Sequence, residues 1–477
     1  MRRALAVIVL GSSVATVGSA QSRSAVTFPE GIRAPELGSL VRPKPAADSG
    51  SRRNYVLPAF EVLGFNAALN LVDRSILGDE YRTDLTTIRR NLRRKWVIDG
   101  DPYNINQFLH PYQGAMYQML ARSAGVPYWT SLLYSMGGSV SWEIAGERSP
   151  PSRNDFIASG IAGSFLGESL FRMANLLIEN ASGSPSFRRS LAATAISPSN
   201  GFNRLVFGDR FDAVLSSRGA AYYRRWHVGA SGTTNNVVGS STRFRRNEGL
   251  VELSMEYGLP GVSGYAYHRP FDYFAIQATG STANGLENIL TRGLLLGATY
   301  GAGDRYRGLW GLYGSYDYIA PQIFRVSSTA ISLGTTGQRM LTNRVALQST
   351  VLGGAGYAAV GTLHGTSDTD YHYGVAPQAV AATRLVFGDM ASFDLTAREY
   401  FVSEVAAAST GGHDNIVRAD VSFSLRIHQQ RALAVRYQWT RRDAAFPGAA
   451  LQRQVRGTLA LFYTLLGHDR FGVVDWR

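Results

Sequence analysis

The 477-residue chain contains no cysteine. It therefore folds without disulfides, and it can build neither a thiolate metal site nor a cysteine nucleophile. Lysine is nearly absent, occurring only at Lys44 and Lys95, so arginine carries almost all of the positive charge behind a net +13. Beyond the first twenty residues, no continuous apolar run reaches the ~20 residues that a helix crossing a bilayer requires. The sequence also lacks a phosphate-binding Walker loop, a dinucleotide fingerprint, an HExxH zinc motif and a Gly-x-Ser-x-Gly nucleophile elbow, so none of those chemistries is signalled.

Several features are present. Met1-Arg2-Arg3 is followed by an apolar stretch from Ala4 to Val17 and by Gly18-Ser19-Ala20. A charged start, an apolar centre and small residues before a cut have the form of a secretory signal peptide, with cleavage expected after Ala20. Export argues against nucleic acid as the partner of the basic charge. Arginines spread through the second half suit the phosphates of outer-membrane lipid and lipopolysaccharide, which a guanidinium grips bidentately.

Mean hydropathy near zero combines with 51 Gly, 24 Tyr and 22 Phe. A transmembrane β-barrel has this profile, because lipid-facing and lumen-facing residues alternate and their hydropathies cancel. Arg418 to Ile427 shows the pattern. Ala419, Val421, Phe423, Leu425 and Ile427 share one face, while Arg418, Asp420, Ser422, Ser424 and Arg426 share the other. Similar runs begin near Tyr222, Glu248, Asp272, Thr291, Tyr306, Phe324, Arg344, Tyr371, Ala391, Asn415, Arg431 and Val455, which predicts about twelve strands. A soluble β-sandwich would want shorter strands and fewer aromatics at strand ends.

The fold class expected is α+β: a small N-terminal helical domain followed by an antiparallel transmembrane barrel. The boundaries read as a signal peptide over 1–20, a polar Pro- and Ser-rich linker over 21–53, the helical domain over 54–180, a Ser/Gly/Pro connector over 181–220 and the barrel over 221–477. Helices are expected from Gln113 to Ser123, from Trp129 to Ala145, and from Ser152 to about Ile178. Gly160, Gly163 and Gly167 lie on one face of the third helix. Each costs nearly 1 kcal/mol of helix propensity, so close approach to a neighbour is expected. The second and third helices are expected to form that tight pair, at the periplasmic mouth of the barrel or partly in the lipid interface.

Trp96, Asp99, Asn106-Gln107-Phe108-Leu109-His110-Pro111-Tyr112-Gln113-Gly114, Ser141-Trp142-Glu143, Pro151-Ser152-Arg153-Asn154-Asp155 and Gly163 to Glu168 together resemble the DUF3943 family of exported bacterial proteins. Gly201-Phe202-Asn203-Arg204-Leu205 continues the likeness, which covers about residues 60–210. It implies a domain of unassigned function and adds no activity.

Within that domain His110, Glu143, Glu147, Asp155 and Glu168 are the candidate site residues. One histidine with several carboxylates could hold a divalent metal, or pair as general acid and base. Each also has a structural reading. Asp155 completes a capping box, and Glu168 pairs with Arg172 one turn on. Glu143 and Glu147 sit near a helix C-terminus, where the dipole disfavours them, and call for partners such as Arg148 or Arg153. Three functions are compatible with these residues. The domain acts as a plug, a lipid-contacting module or a module for a periplasmic envelope partner; or the site is that of an envelope enzyme acting on lipid or glycan; or the barrel is a small-solute channel.

Overall fold

The computed structural model describes residues 53–179, 185–208, 219–238, 246–320, 324–361, 368–404, 412–447, 451–467 and 470–475. The expected signal peptide and almost all of the expected linker lie outside the described residues. The N-terminal half is helical. Asn54 starts α1 (Val56–Ile76), its side-chain oxygen accepting from the Val56 and Leu57 amides. A short α2 (Leu85–Asn91) is capped by Asp84 in the same way. Then come α3 (His110–Ser123), α4 (Tyr128–Ala145), α5 (Arg153–Ile157) and α6 (Gly163–Glu179). Residues 105–109 and 158–162 are π-helical turns, leading into α3 and joining α5 to α6.

The close approach expected of the glycine face is present, but its partner differs in part. Gly160 meets Met136 of α4 as expected, but Gly163 and Gly167 press against α3. A Cβ on Gly163 would stand 2.6 Å from Gly114 Cα, and one on Gly114 would stand 1.7 Å from the Ser159 carbonyl oxygen. Helix α3 is therefore the buried axis of the bundle, with α4 meeting it through Gly138 against Tyr117. The segment read as a connector carries two further helices, α7 (Phe187–Ile196) and α8 (Pro198–Phe207). Its Ser197-Pro198 pair starts α8, Pro198 standing in the first turn where its missing N–H costs nothing.

The second half is a closed barrel of twelve strands, as the alternation predicts. They are β1 (Tyr222–Val238), β2 (Asn247–Tyr257), β3 (Phe274–Ser281), β4 (Asn288–Ala302), β5 (Tyr306–Ile319), β6 (Val326–Met340), β7 (Val345–Gly361), β8 (Tyr371–Phe387), β9 (Ala391–Glu404), β10 (His413–His428), β11 (Arg431–Ala445) and β12 (Gln452–Leu466). Each strand pairs antiparallel with its sequence neighbours, and β1 pairs with β12 to close the ring. Closure leaves no open edge, which a membrane-spanning sheet requires. The outer face of β10 to β12 is an apolar belt of exposed side chains, including Phe423, Leu425, Leu433, Val435, Leu459 and Leu461.

The helices cover the outside of this wall. On β5 the outward positions are even-numbered. Trp310 is 53% exposed, whereas Tyr316 and Tyr318 on the same face are buried. They are buried with Met255, Tyr257, Phe274, Ile276, Ile289 and Tyr373, in one core with Tyr103, Phe165, Phe171 and Met173 of the helical half. Gly314 makes room for this contact, since a Cβ there would stand 2.5 Å from the Phe165 ring. The contact runs from rim to rim. The Tyr103 amide donates to the Asp368 carbonyl between β7 and β8 (2.7 Å), and Arg172 pairs with Asp272 between β2 and β3 (3.1 Å). Connections after odd and even strands lie at opposite ends of an antiparallel barrel. The plug expectation is thereby corrected: the helices stand against the wall and do not enter the lumen. Their buried apolar face matches the wall's outer face, whereas the lumen is lined mainly by polar side chains.

Candidate functional site

Where the helices meet the start of β8, polar side chains converge. The π-helical turn at 105–109 brings Asn106 and Gln107 to the wall ahead of His110. Asn106 Nδ2 donates to Asp99 Oδ1 and to the Tyr371 hydroxyl (2.8 Å). Gln107 Nε2 and Asn154 Nδ2 each donate to the Tyr373 hydroxyl at 2.8 Å. Asn154 Nδ2 also reaches Asp99 Oδ1 (3.0 Å) and Asp155 Oδ1 (3.1 Å). His110 Nε2 lies 3.8 Å from Asp155 Oδ2, and its Nδ1 lies 3.4 Å from Ser159 Oγ in the second π-helical turn.

Residues 95–199 match the family model described as "Domain of unknown function (DUF3943)". The DUF3943 segment thus contains every polar side chain that the helical half contributes to this cluster. Among curated proteins nothing matches the chain. Among solved structures it is similar to the NanC porin, at 6% identity and a TM-score of 0.25 over 50% of this chain and 98% of that one. It is also similar to the TodX monoaromatic hydrocarbon channel, at 8% identity and 0.23 over 52% and 90%. The outer membrane channel DcaP of Acinetobacter baumannii gives 10% and 0.20 over 52% and 99%. At such values they carry no argument, and the barrel rests on its own strand pairing.

The electrostatics of the DUF3943 cluster follow from burial. The Asp155 carboxyl is pushed well above its usual range, first by desolvation and then by the neighbouring Asp99 carboxylate. Burial would raise Asp99 too, but hydrogen bonds from Asp155, Asn154 and Asn106 outweigh it and hold that carboxyl low. The two shifts run in opposite directions and favour the proton on Asp155 over Asp99. Burial lowers His110 to about 4, so its ring is neutral at pH 7. A neutral imidazole and a protonated carboxyl make a weak pair for holding a cation. Among the described residues no group of three or more His, Cys, Asp or Glu side chains is placed to hold a metal ion.

No hydrogen bond among the described residues joins the other candidates to His110 or Asp155, although Glu143 lies near enough to help raise the Asp155 carboxyl. Glu143 Oε2 accepts from the Ser152 amide at 2.7 Å, and burial, then Glu147, raises its pKa well above the usual value. Glu147, raised to about 7 mainly by burial, accepts from Trp142 Nε1 (2.7 Å) and Ser149 Oγ (3.0 Å). Neutral donors thus take the place of the arginines expected beside this pair. The capping box is formed in part. Ser152 Oγ accepts from the Asp155 amide, but Glu143, not Asp155, takes the Ser152 amide. Glu168 lies between Arg122 (2.7 Å) and Arg172 (2.9 Å), and Arg172 continues to Asp272 (3.1 Å), an almost fully buried chain tying α3 and α6 to the barrel. The Glu168–Arg172 pair is legible from spacing; Arg122 and Asp272 are not.

The lumen is a second polar region. Arg384 on β8 reaches Glu256 on β2 at 3.3 Å, although these strands stand six apart in a ring of twelve and so face each other across the barrel. Arg225 pairs with Asp394, Arg436 bidentately with Glu252, and Arg398 with Asp317. The strand arginines assigned from composition to lipid phosphates thus include a set turned inward. Arg442 and His227 are fully buried in the barrel interior and Glu252 nearly so. At the rim where β1 begins and β12 ends, residues 470–475 fold into the opening. Gln338 donates to the Val474 carbonyl and Gln348 to that of Gly472, both at 2.6 Å.

Proposed function

We propose that this is an outer-membrane protein whose barrel carries the DUF3943 segment on its outer wall as a lipid-contacting module. The observation that carries the reading is the rim-to-rim contact of the helices with strand faces that would otherwise meet lipid. A second feature supports it. Helix α1 is the helix, among the described residues, that is long and apolar enough to cross a membrane, and only 17% of its apolar window is buried. Phe60, Leu63, Leu71 and Val72 stand exposed along it, with Trp129 and Leu133 on α4. Exposed apolar patches of this extent mark contact with a membrane or a partner. The polar cluster then has a structural role, closing the seam between helices and wall, where an unpaired polar group would cost several kcal/mol in lipid. His110 and Asp155 are 5% and 1% exposed, which gives a lipid or glycan substrate no approach to them.

Because the chain has no cysteine, single spin labels can be placed without background. Labels at Phe60, Leu63 and Leu461 in proteoliposomes are expected to be relaxed by oxygen more strongly than by a water-soluble nickel chelate. A label at Glu80 should show the reverse. Nickel access at Phe60 and Leu63 equal to that at Glu80 would place α1 in water and end the proposal.

A further inference from the structure

Among the described residues the lumen holds a cavity toward each rim. The one toward the rim where β1 begins and β12 ends, about 130 Å³, is lined by Arg225, Arg292, Arg384 and Arg398 against Glu256, Asp317 and Asp394. All three carboxylates are engaged: Asp394 by Arg225 and Arg384, Glu256 by Arg384, and Asp317 by Arg398. Arg292 is the fourth cation. It faces inward from β4, its register partners being Ala275 and Ser315. Its side chain has no ion pair or hydrogen bond among the described residues, and its Nε is buried without a partner. A guanidinium N–H left in that state loses its hydration with nothing in return. The surrounding lining supplies neutral amides and hydroxyls, Gln277, Gln378, Ser315 and Thr336 among them. At ~30 Å³ per water the space takes several waters, enough for a small anion.

We propose that this cavity binds a small oxyanion, a carboxylate or phosphate group, with Arg292 as its bidentate partner and the amides and hydroxyls taking the remaining oxygens. The ligand restores charge balance, four guanidinium groups against three carboxylates and one anion. The site is independent of the lipid-contacting role of the helices, and either can fail alone.

The test uses the full mature chain in detergent, titrated with inorganic phosphate or gluconate at constant ionic strength against chloride, with calorimetry as readout. Saturable binding of phosphate, gluconate or both is expected, and the stronger of the two identifies the source of the oxyanion. Arg292→Gln should weaken it roughly tenfold or more, since the bidentate pair of charge-assisted hydrogen bonds is lost and a neutral amide replaces at most part of it. Arg456→Gln, in the other cavity, should leave it unchanged. If Arg292→Gln does not fold, Arg292→Lys serves, since a point charge replaces the fork and affinity should fall severalfold. No binding beyond chloride, or full affinity in the Arg292 variants, overturns the proposal.

Discussion

Glu168→Ala is expected to destabilise the helical half by about 3–5 kcal/mol, the cost of leaving buried charge without its partner. Two guanidinium groups lose their acceptor at once. Arg122 would keep only the Val126 carbonyl (2.6 Å), and Arg172 would keep Asp272 and the Pro270 carbonyl. Both are about 4% exposed, so water does not compensate. Because Arg172 also bridges to the barrel, the helices should loosen from the wall. Trypsin should then cleave within 85–205 while the barrel stays resistant. Glu143→Gln is the matched comparison. Glu143 is held toward its neutral form and accepts from one amide, which a glutamine oxygen can replace, so its cost should stay below about 1 kcal/mol. Equal effects from the two variants would mean that burial alone, and not pairing, sets the cost.

The second large effect is expected inside the barrel. Glu252 accepts both Arg436 nitrogens at 2.7 Å, with Gln277 Nε2 at 2.8 Å and Thr279 Oγ1 at 3.2 Å. Glu252→Ala leaves these donors facing one another with an unmatched positive charge, a loss again of about 3–5 kcal/mol. The temperature at which the folded form disappears on unheated gels should fall clearly. Replacing both partners, Glu252→Leu with Arg436→Met, should recover most of the loss, because apolar groups of similar volume carry no desolvation penalty. A double variant no better than the single one would show that the pair serves more than charge balance. In planar bilayers the native barrel should conduct little, since Arg384 and Glu256 join opposite walls.

Much of the barrel is legible in the sequence because its determinant is local. A residue's face in a strand depends on parity alone, so the Arg418–Ile427 alternation correctly separates lumen from exterior. The twelve expected starts fall within three residues of the strands found, from Tyr222 to Gln452. Closure of β1 onto β12 agrees with the even count. What parity cannot show is that one outer sector is covered. Tyr316, Tyr318 and Tyr373 stand at outward positions, and no periodicity distinguishes a ring against lipid from one against a helix.

The glycine face of α6 signals a close approach without saying to which helix, because spacing fixes a face and not its partner. The cluster is half visible. His110 and Asp155 stand out as titratable groups, while Asp99, Asn106 and Asn154 enter only as residues of the family motif. Their common point lies on Tyr371 and Tyr373; Asn106 and Tyr371 are 265 residues apart, beyond any local pattern. Glu143 and Glu147 are visibly misplaced near a helix end, but buried neutral donors and raised pKa values resolve the misfit, not arginines.

The most direct test of the docked arrangement is a disulfide across the seam. Ser169 Oγ on α6 and Thr291 Oγ1 on the outer face of β4 are 2.8 Å apart, both buried. In the cysteine-free background, Ser169→Cys with Thr291→Cys should oxidise to near completion in the native membrane and change the mobility of the unheated, folded protein. If both thiols instead stay free and react with maleimide while the barrel remains folded, the helices do not stand on the outer wall, and the lipid-contacting role falls with that arrangement.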